Sequence, residues 1–133
     1  MAAARTIPLP AETHAITVTA LSLRGVPYRD GGASPSGFDC SGFTHYVYGQ
    51  HGVALPRLAT DQFDVGTEVT RTELEPGDLV FFATTASGPS HVGLALGGDE
   101  FVHAPSQRGE VRVERLSARY WSRRWIGAKR VME

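Results

Sequence analysis

Apolar residues recur at helical spacing in the first half of the chain and at the spacing of strands in the second half. Ile16, Ala20 and Leu23 lie three or four positions apart, which predicts a helix from about Glu12 to Arg24. Residues 1–10 contain two prolines and are expected to form an irregular arm. Residues 29–37 are rich in glycine, serine and proline, and the sequence predicts a loop there.

A second helix is predicted from about Cys40 to Gln50. Phe43 and Val47 fall on one face of this segment. Asp39 precedes it and is a favourable N-cap, since its carboxylate can accept hydrogen bonds from the free N–H groups of the first turn. Gly52 follows it, at a position where glycine commonly ends a helix.

Short apolar or alternating segments predict strands in the second half, since they are separated by glycine, proline, aspartate and serine. These segments are Leu79–Ala83, His91–Leu96, Glu100–Ala104, Val111–Leu116 and Trp125–Val131. A short helical turn is expected before them, at Thr60–Phe63. Helices followed by a meander of strands predict an α+β fold, with the N-terminal helices packed on an antiparallel sheet of about five strands.

Length and composition indicate a single domain over residues 1–133. Hydrophobic residues make up 41% and charged residues 20%, as in ordinary soluble globular proteins. The net charge of −1 argues against a nucleic-acid partner, which normally needs a basic face.

No apolar run approaches the roughly 18–20 residues of a membrane span. The N-terminus lacks the features of a secretory signal, so we expect either a cytoplasmic protein or the trimmed form of an exported one. Nothing requires more than a monomer.

Cys40 is the only cysteine in the sequence, at the start of the second predicted helix. A lone thiol has no disulfide partner, which leaves a chemical role open. The N-terminus of a helix can lower a cysteine pKa from about 8.5 to roughly 3.5–7.5, because its N–H groups favour the thiolate. We therefore expect Cys40 to be the nucleophile of a cysteine hydrolase.

His91 and His103 lie in neighbouring predicted strands. The bulky apolar residues of the first of these strands share one face, so His91 points to the other. If the two strands pair antiparallel, the His103 ring comes within hydrogen-bond reach of His91. His91 would then be the base, and His103 would fix its tautomer and orientation. The backbone N–H of Cys40 and the hydroxyl of Tyr28 are candidate donors to an oxyanion.

Each candidate also has an ordinary structural interpretation. A solitary cysteine is often a small core residue, and a strand histidine is often a satisfied structural side chain. Tyr28 could simply pack the glycine-rich loop. A metal site built from Cys40, His91, His103 and Asp99 is a further alternative, but no pair has the short spacing of structural zinc sites. No metal or cofactor is expected.

A basic and aromatic segment, residues 119–125, follows the fourth predicted strand. It could bind nucleic acid or another polyanion. Since the chain has no net positive charge, we expect instead that Tyr120, Trp121 and Trp125 pack a short turn and the final strand, with the arginines in solvent.

Several short motifs occur in the order typical of one family. They are Gly25-Val26-Pro27-Tyr28, Gly31-Gly32, Gly37-Phe38-Asp39-Cys40-Ser41-Gly42, Leu55-Pro56-Arg57, Pro76-Gly77-Asp78-Leu79-Val80-Phe81-Phe82, Ser90-His91-Val92-Gly93 and Phe101-Val102-His103-Ala104. Together they resemble the NlpC-type cell-wall cysteine peptidases, a compact papain-like family, from about Leu21 to Val131. The separations of the cysteine and the two histidines, 51 residues (91 − 40) and 12 residues (103 − 91), are typical of that family.

The resemblance implies hydrolysis of bacterial peptidoglycan stem peptides, usually at the bond between γ-D-glutamyl and a diamino acid. By position, Cys40 would be the nucleophile, His91 the base, His103 the orienting residue and Tyr28 a donor to the oxyanion. It also implies a location in the cell wall, in the periplasm or outside the cell. No wall-binding domain accompanies the motifs in this sequence.

The resemblance also implies a set of substrate-binding residues. The matching positions are Asp39, Ser41, Arg57 and Ser90. Asp30 and Ala59 stand where many relatives have an aromatic residue and a serine, and both changes bear on substrate choice. Two other functions stay open: a papain-like amidase or acyltransferase that acts on another amide or ester, and a non-catalytic module that binds wall peptides.

Overall fold

The computed structural model describes residues 8–106 and 109–131, which begin with a helix. This helix, α1, spans Pro8–Ser22 and buries Ile16 and Ala20 completely. It begins earlier than the sequence predicts, so residues 8–10 belong to the helix and the prediction of an irregular arm is wrong for them. The rest of that arm, residues 1–7, lies outside the described residues.

The predicted loop at 29–37 contains a small hairpin. Strands β1 (Ala33–Ser34) and β2 (Gly37–Phe38) pair antiparallel, with Ala33 opposite Phe38. Two-residue strands carry no recognisable pattern of alternation, which is why the sequence predicted only a loop. The hairpin leads directly into the helix that begins at Cys40.

Helix α2 spans Cys40–Gly49 and matches the predicted helix closely. The Asp39 side chain accepts a hydrogen bond from the Gly42 backbone N–H at 2.7 Å, so the predicted N-cap is confirmed. Phe43 and Val47 are fully buried. The short turn predicted at Thr60–Phe63 is helix α3, which spans Ala59–Gln62.

The main sheet has six strands rather than about five. They are β3 (Thr67–Val69), β4 (Leu79–Phe82), β5 (His91–Gly97), β6 (Glu100–His103), β7 (Arg112–Arg115) and β8 (Trp125–Arg130). Their order across the sheet is β3-β8-β4-β5-β6-β7, and every pair is antiparallel. The sequence missed β3 because this strand is three residues long with two of them exposed. The α+β class is confirmed.

Apolar side chains cover both faces of the sheet. Helices α1 and α2 pack on one face, against residues that include Leu79, Phe81, Val92 and Leu94. The other face carries a second cluster: Val69, Val80, Phe82, Ala95, Phe101, Leu116, Trp121 and Ala128. Trp121 belongs to a short helix, α4 (Arg119–Ser122), that covers this face. Within residues 8–106 and 109–131, no helix is both long and apolar enough to cross a membrane.

Candidate active site

The thiol of Cys40 lies at the junction between helix α2 and strand β5. Cys40 is the first residue of α2 and is half-buried. Its Sγ donates a hydrogen bond to the carbonyl oxygen of Ser90, at 3.8 Å. Ser90 directly precedes His91, the first residue of β5. The fold therefore brings the predicted nucleophile to the start of the strand that carries the predicted base.

The resting protonation of Cys40 differs from the sequence prediction. Burial raises the pKa of the thiol, and the nearby carboxylate of Asp39 raises it further. The backbone N–H groups of Val92, Ser41 and Cys40 itself favour the thiolate, but they do not outweigh these two effects. The predicted lowering of the pKa is thus wrong, because the same packing that positions the sulfur also removes it from water.

The two histidines form the predicted hydrogen bond. His91 Nε2 lies 2.8 Å from His103 Nδ1, and both side chains are buried. Gly93, which lies on the same face of β5 as His91, makes this approach possible because it has no side chain. A Cβ at Gly93 would lie 2.8 Å from the Phe101 ring and 3.1 Å from the His103 Cβ. The roles of base and orienting residue stay predictions.

Burial also sets the charge of this histidine pair. It lowers the pKa of His103, and it lowers the pKa of His91 well below 6.5. The positive charge that either ring would carry disfavours a charge on the other, which adds to the effect at His91. Both imidazoles are therefore neutral at neutral pH, as is the Cys40 thiol.

Glu114 on strand β7 extends the pair, and the sequence analysis did not find it. Its Oε2 accepts a hydrogen bond from His103 Nε2 at 2.9 Å. In the β6–β7 register, Phe101 pairs with Glu114 and His103 pairs with Arg112, so the carboxylate reaches His103 diagonally. The alternation in 111–116 already put Glu114 on one face with Arg112. What the sequence lacked was the register against His103.

Trp121 covers the histidines on the face of the sheet that lies opposite helices α1 and α2. Its ring stacks on His91 at 5.2 Å and 25°, and contacts His103 edge-on at 4.8 Å. Its Nε1–H donates to Glu114 Oε1 at 3.0 Å. The predicted packing role of the aromatic segment is therefore confirmed for Trp121, whereas Tyr120 is 44% exposed beneath the Arg124 guanidinium.

Three of the predicted substrate-binding residues form one network beside Cys40. Arg57 donates to both carboxylate oxygens of Asp39, from Nη1 to Oδ1 at 3.0 Å and from Nη2 to Oδ2 at 2.8 Å. The same Nη1 donates to Ser41 Oγ at 3.1 Å. This bidentate pair fixes the residues on both sides of the cysteine. Substrate contact by these residues stays a prediction.

Gln62, a second residue that the sequence analysis missed, fastens the Arg57 segment to helix α2. It is fully buried, and its Nε2 donates to the carbonyl oxygens of Ser41 and Pro56 at 3.1 and 2.8 Å. Its Oε1 accepts from the Thr44 hydroxyl at 2.8 Å. A polar residue in a four-residue helix carries no signal for such a role in the sequence.

Tyr28 is electrostatically coupled to the thiol. Burial raises the pKa of Tyr28 to about 12, with further contributions from Cys40, Asp30 and Asp39. The phenol is therefore a neutral O–H donor at physiological pH. Its predicted role toward an oxyanion remains a prediction.

Ser90 takes part in the site through its backbone. Its carbonyl accepts from the thiol, whereas its hydroxyl accepts from the Thr84 N–H at 2.9 Å within the connection between β4 and β5. Its predicted contact with substrate stays a prediction.

The metal alternative grouped Asp99 with the cysteine and the histidines. Asp99 instead accepts a hydrogen bond from the Ser117 N–H at 2.9 Å and lies 3.7 Å from Arg71. The carboxylate beside the histidines is that of Glu114. Across the part of the chain that the structure describes, no three metal-ligating side chains cluster.

The chain is similar to several known proteins. The family model described as "NlpC/P60 family" matches residues 25–130. The chain is 42% identical over 113 residues to the murein DD-endopeptidase MepH of Escherichia coli K12. The aligned segment covers 81% of this chain and 42% of the relative. It is 36% identical over 128 residues to a gamma-D-glutamyl-L-lysine dipeptidyl-peptidase of Bacillus cereus. That alignment covers 95% of this chain and 38% of the relative.

A solved structure shows the same fold. The crystal structure of an NlpC/P60 family protein from Bacillus cereus aligns with a TM-score of 0.85 and 33% identity, over 91% of this chain and 40% of that one. The chain thus spans less than half the length of these three proteins. The predicted papain-like α+β fold is confirmed, with six strands in the main sheet. On the match over residues 25–130, the chain belongs to the NlpC/P60 family.

Proposed function

We propose that this protein is a cysteine peptidase that cleaves peptidoglycan stem peptides, at the bond between γ-D-glutamyl and a diamino acid. The observation that supports this proposal is that the Cys40 thiol lies 3.8 Å from the carbonyl oxygen of Ser90. Ser90 directly precedes His91, which forms a hydrogen bond with His103. Relatives whose names specify murein DD-endopeptidase and gamma-D-glutamyl-L-lysine dipeptidyl-peptidase activities support the substrate class.

The first step follows from the neutral resting pair. The Cys40 sulfur attacks the carbonyl carbon of the peptide, and the thiol proton passes to His91 as the new C–S bond forms. The C–N bond then breaks, and the same proton leaves with the amine of the diamino acid. The γ-D-glutamyl carbonyl is left as a thioester on Cys40.

The second step restores the resting protein. A water molecule gives a proton to His91 and attacks the thioester carbonyl. The C–S bond breaks, the sulfur takes the proton back, and the peptide leaves with a free γ-carboxyl group. No cofactor or metal enters these two steps.

Two donors can stabilise the oxyanion of each step. The backbone N–H of Cys40 lies in the first turn of α2, where N–H groups have no acceptor within the helix. The Tyr28 phenol keeps its proton, since its pKa is raised to about 12. A neutral hydroxyl at this position can donate to the developing negative charge.

Asp39 retains capacity to bind a substrate amine. Its carboxylate accepts three hydrogen bonds, one from the Gly42 N–H and two from Arg57. A carboxylate offers about four lone-pair positions, so about one is left. We expect this position, with the Ser41 hydroxyl, to accept the free N-terminal amine of a stem peptide. We further expect a monomer that acts at the cell wall.

Digestion of purified peptidoglycan tests the proposal. Products are identified by mass spectrometry for the parent protein, for Cys40→Ala and for Cys40→Ser, with Ser87→Ala in an exposed turn as the control. The parent and the control should release fragments with new γ-D-glutamyl carboxyl ends, and both Cys40 variants should release none while keeping the parent circular dichroism spectrum. Full cleavage by folded Cys40→Ala would refute the proposal. An acylated acceptor in place of the free acid would point to acyl transfer.

A further inference from the structure

We propose that Glu114 is a positioning residue of this site: its carboxylate sets the tautomers of His103 and His91, so that Nδ1 of His91 is left without a proton and can act as the base. The inference rests on the proposed function for its catalytic meaning. Its structural content, which nitrogen carries each proton, can be measured without a substrate.

The first step of the argument is the contact between Glu114 and His103. Glu114 Oε2 lies 2.9 Å from His103 Nε2, and Arg112 Nε lies 3.7 Å from the same oxygen. Hydrogen bonds from His103 and from Trp121 lower the pKa of Glu114 to about 2, so the carboxylate is ionised at neutral pH. An ionised carboxylate can only accept. His103 Nε2 must therefore carry a proton.

The second step passes this constraint to His91. His103 is fully buried, and its imidazole is neutral, so a proton on Nε2 leaves Nδ1 bare. The 2.8 Å contact between His103 Nδ1 and His91 Nε2 then requires the proton on His91 Nε2. His91 is also neutral, and its remaining nitrogen, Nδ1, is the one free to act as a base.

Trp121 makes the carboxylate irreplaceable by an amide. Its Nε1–H donates to Glu114 Oε1 at 3.0 Å, so each carboxylate oxygen faces a donor. A glutamine at 114 must turn its NH₂ group toward one of them. If it faces His103, it donates to Nε2 and reverses the tautomers of both histidines. If it faces Trp121, two N–H groups oppose each other, and neither is satisfied.

The first experiment measures the tautomers directly. Nitrogen-15 NMR of the full chain, labelled at histidine, distinguishes protonated from bare ring nitrogens, and His91→Asn and His103→Asn assign the two rings. We expect both rings to carry the proton on Nε2 in the parent and on Nδ1 in Glu114→Gln. A parent His103 protonated on Nδ1, or identical tautomers in parent and variant, would overturn the proposal.

The second experiment measures cleavage of a γ-D-glutamyl stem peptide. Glu114→Gln should lower kcat by about a hundredfold with KM within about twofold, since a base of the wrong tautomer cannot take the thiol proton. Adding Trp121→Phe removes the opposing donor, so the amide oxygen is free to accept from His103, and kcat should recover at least about tenfold. The control is Glu100→Gln, the same change at an exposed position of β6, and it should match the parent.

The two proposals fail in different ways. A kcat for Glu114→Gln within about threefold of the parent, or no recovery in the double variant, overturns the positioning role. If the parent cleaves no stem peptide but shows the expected tautomers, the proposed function is wrong and the assignment of protons stands.

Discussion

Gly42, in the first turn of helix α2, is predicted to tolerate no side chain. A Cβ built at this position would lie 1.9 Å from the Gly32 carbonyl oxygen and 2.8 Å from Asp39 Oδ1. Both neighbours are already engaged. The Gly32 oxygen accepts from the Asp39 N–H at 2.9 Å and from Arg57 Nη2 at 3.3 Å. Alanine at 42 must therefore separate the start of the helix from the glycine-rich loop.

The cost follows from the contacts that this separation breaks. The Asp39 cap of the helix contributes about 0.5–2 kcal/mol. Losing the neutral hydrogen bond from the Asp39 N–H to the Gly32 oxygen adds about 0.5–1.5 kcal/mol, and losing the charge-assisted bond from Arg57, which is long and partly exposed, adds a similar amount. We therefore expect Gly42→Ala to lower the free energy of unfolding by about 2–4 kcal/mol. With a slope of about 2 kcal/mol per molar urea, the unfolding midpoint should fall by about 1–2 M.

The same helix supplies a control of opposite sign. Gly49 lies at the other end of α2 and is exposed, and a Cβ added there would meet no atom within 4 Å outside its own helix and chain neighbours. Gly49→Ala should stabilise the protein by about 0.5–1 kcal/mol, because alanine favours the helix and restricts the unfolded chain.

Urea unfolding followed by circular dichroism measures both variants. Stem-peptide cleavage by Gly42→Ala, assayed where it is folded, should fall by more than about tenfold, since Cys40 loses its fixed position. A midpoint for Gly42→Ala within about 0.3 M of the parent, with full activity, would refute this reasoning.

Two further predictions concern buried polar groups. Gln62→Leu keeps the volume but removes one donor from each of the Ser41 and Pro56 carbonyl oxygens and the acceptor of the Thr44 hydroxyl. Urea unfolding should therefore show a loss of about 2–4 kcal/mol. A loss below about 0.5 kcal/mol would contradict the assigned contacts. Burial lowers the pKa of His91 below 6.5, so the base stays neutral in mild acid and kcat/KM should hold at pH 6. An acid limb centred at or above pH 6.5 would show that the ring is not buried as described. The free energy of unfolding should depend on pH in the same direction as activity. Because the pKa of His91 is lower in the folded protein than in the unfolded chain, its contribution to stability is present above about pH 6.5 and is lost as the pH falls.

The sequence predicted those parts of the site that follow from local patterns. The cap at Asp39, the helix from Cys40 and the alternation around His91 each depend on a few adjacent residues. The hydrogen bond between His91 and His103 followed from one further assumption, that consecutive strands pair antiparallel. The order of the motifs then indicated the family and its papain-like fold.

The parts that were missed depend on contacts between distant segments. Glu114 reaches His103 through the register of β6 and β7, and Gln62 joins three backbone or side-chain groups that are 6–21 residues away. The direction of the Cys40 pKa was also wrong. The helix terminus is visible in the sequence, but the burial that outweighs it arises only when α2 packs against β5.

The protonated sulfur of Cys40 bears on how the protein withstands oxidants. Peroxides attack thiolates, and the first product, a sulfenic acid, is rescued when a second thiol condenses with it. These 133 residues contain one cysteine, so no such rescue is possible within them. The burial that keeps the sulfur a thiol at rest should therefore slow its inactivation by peroxide.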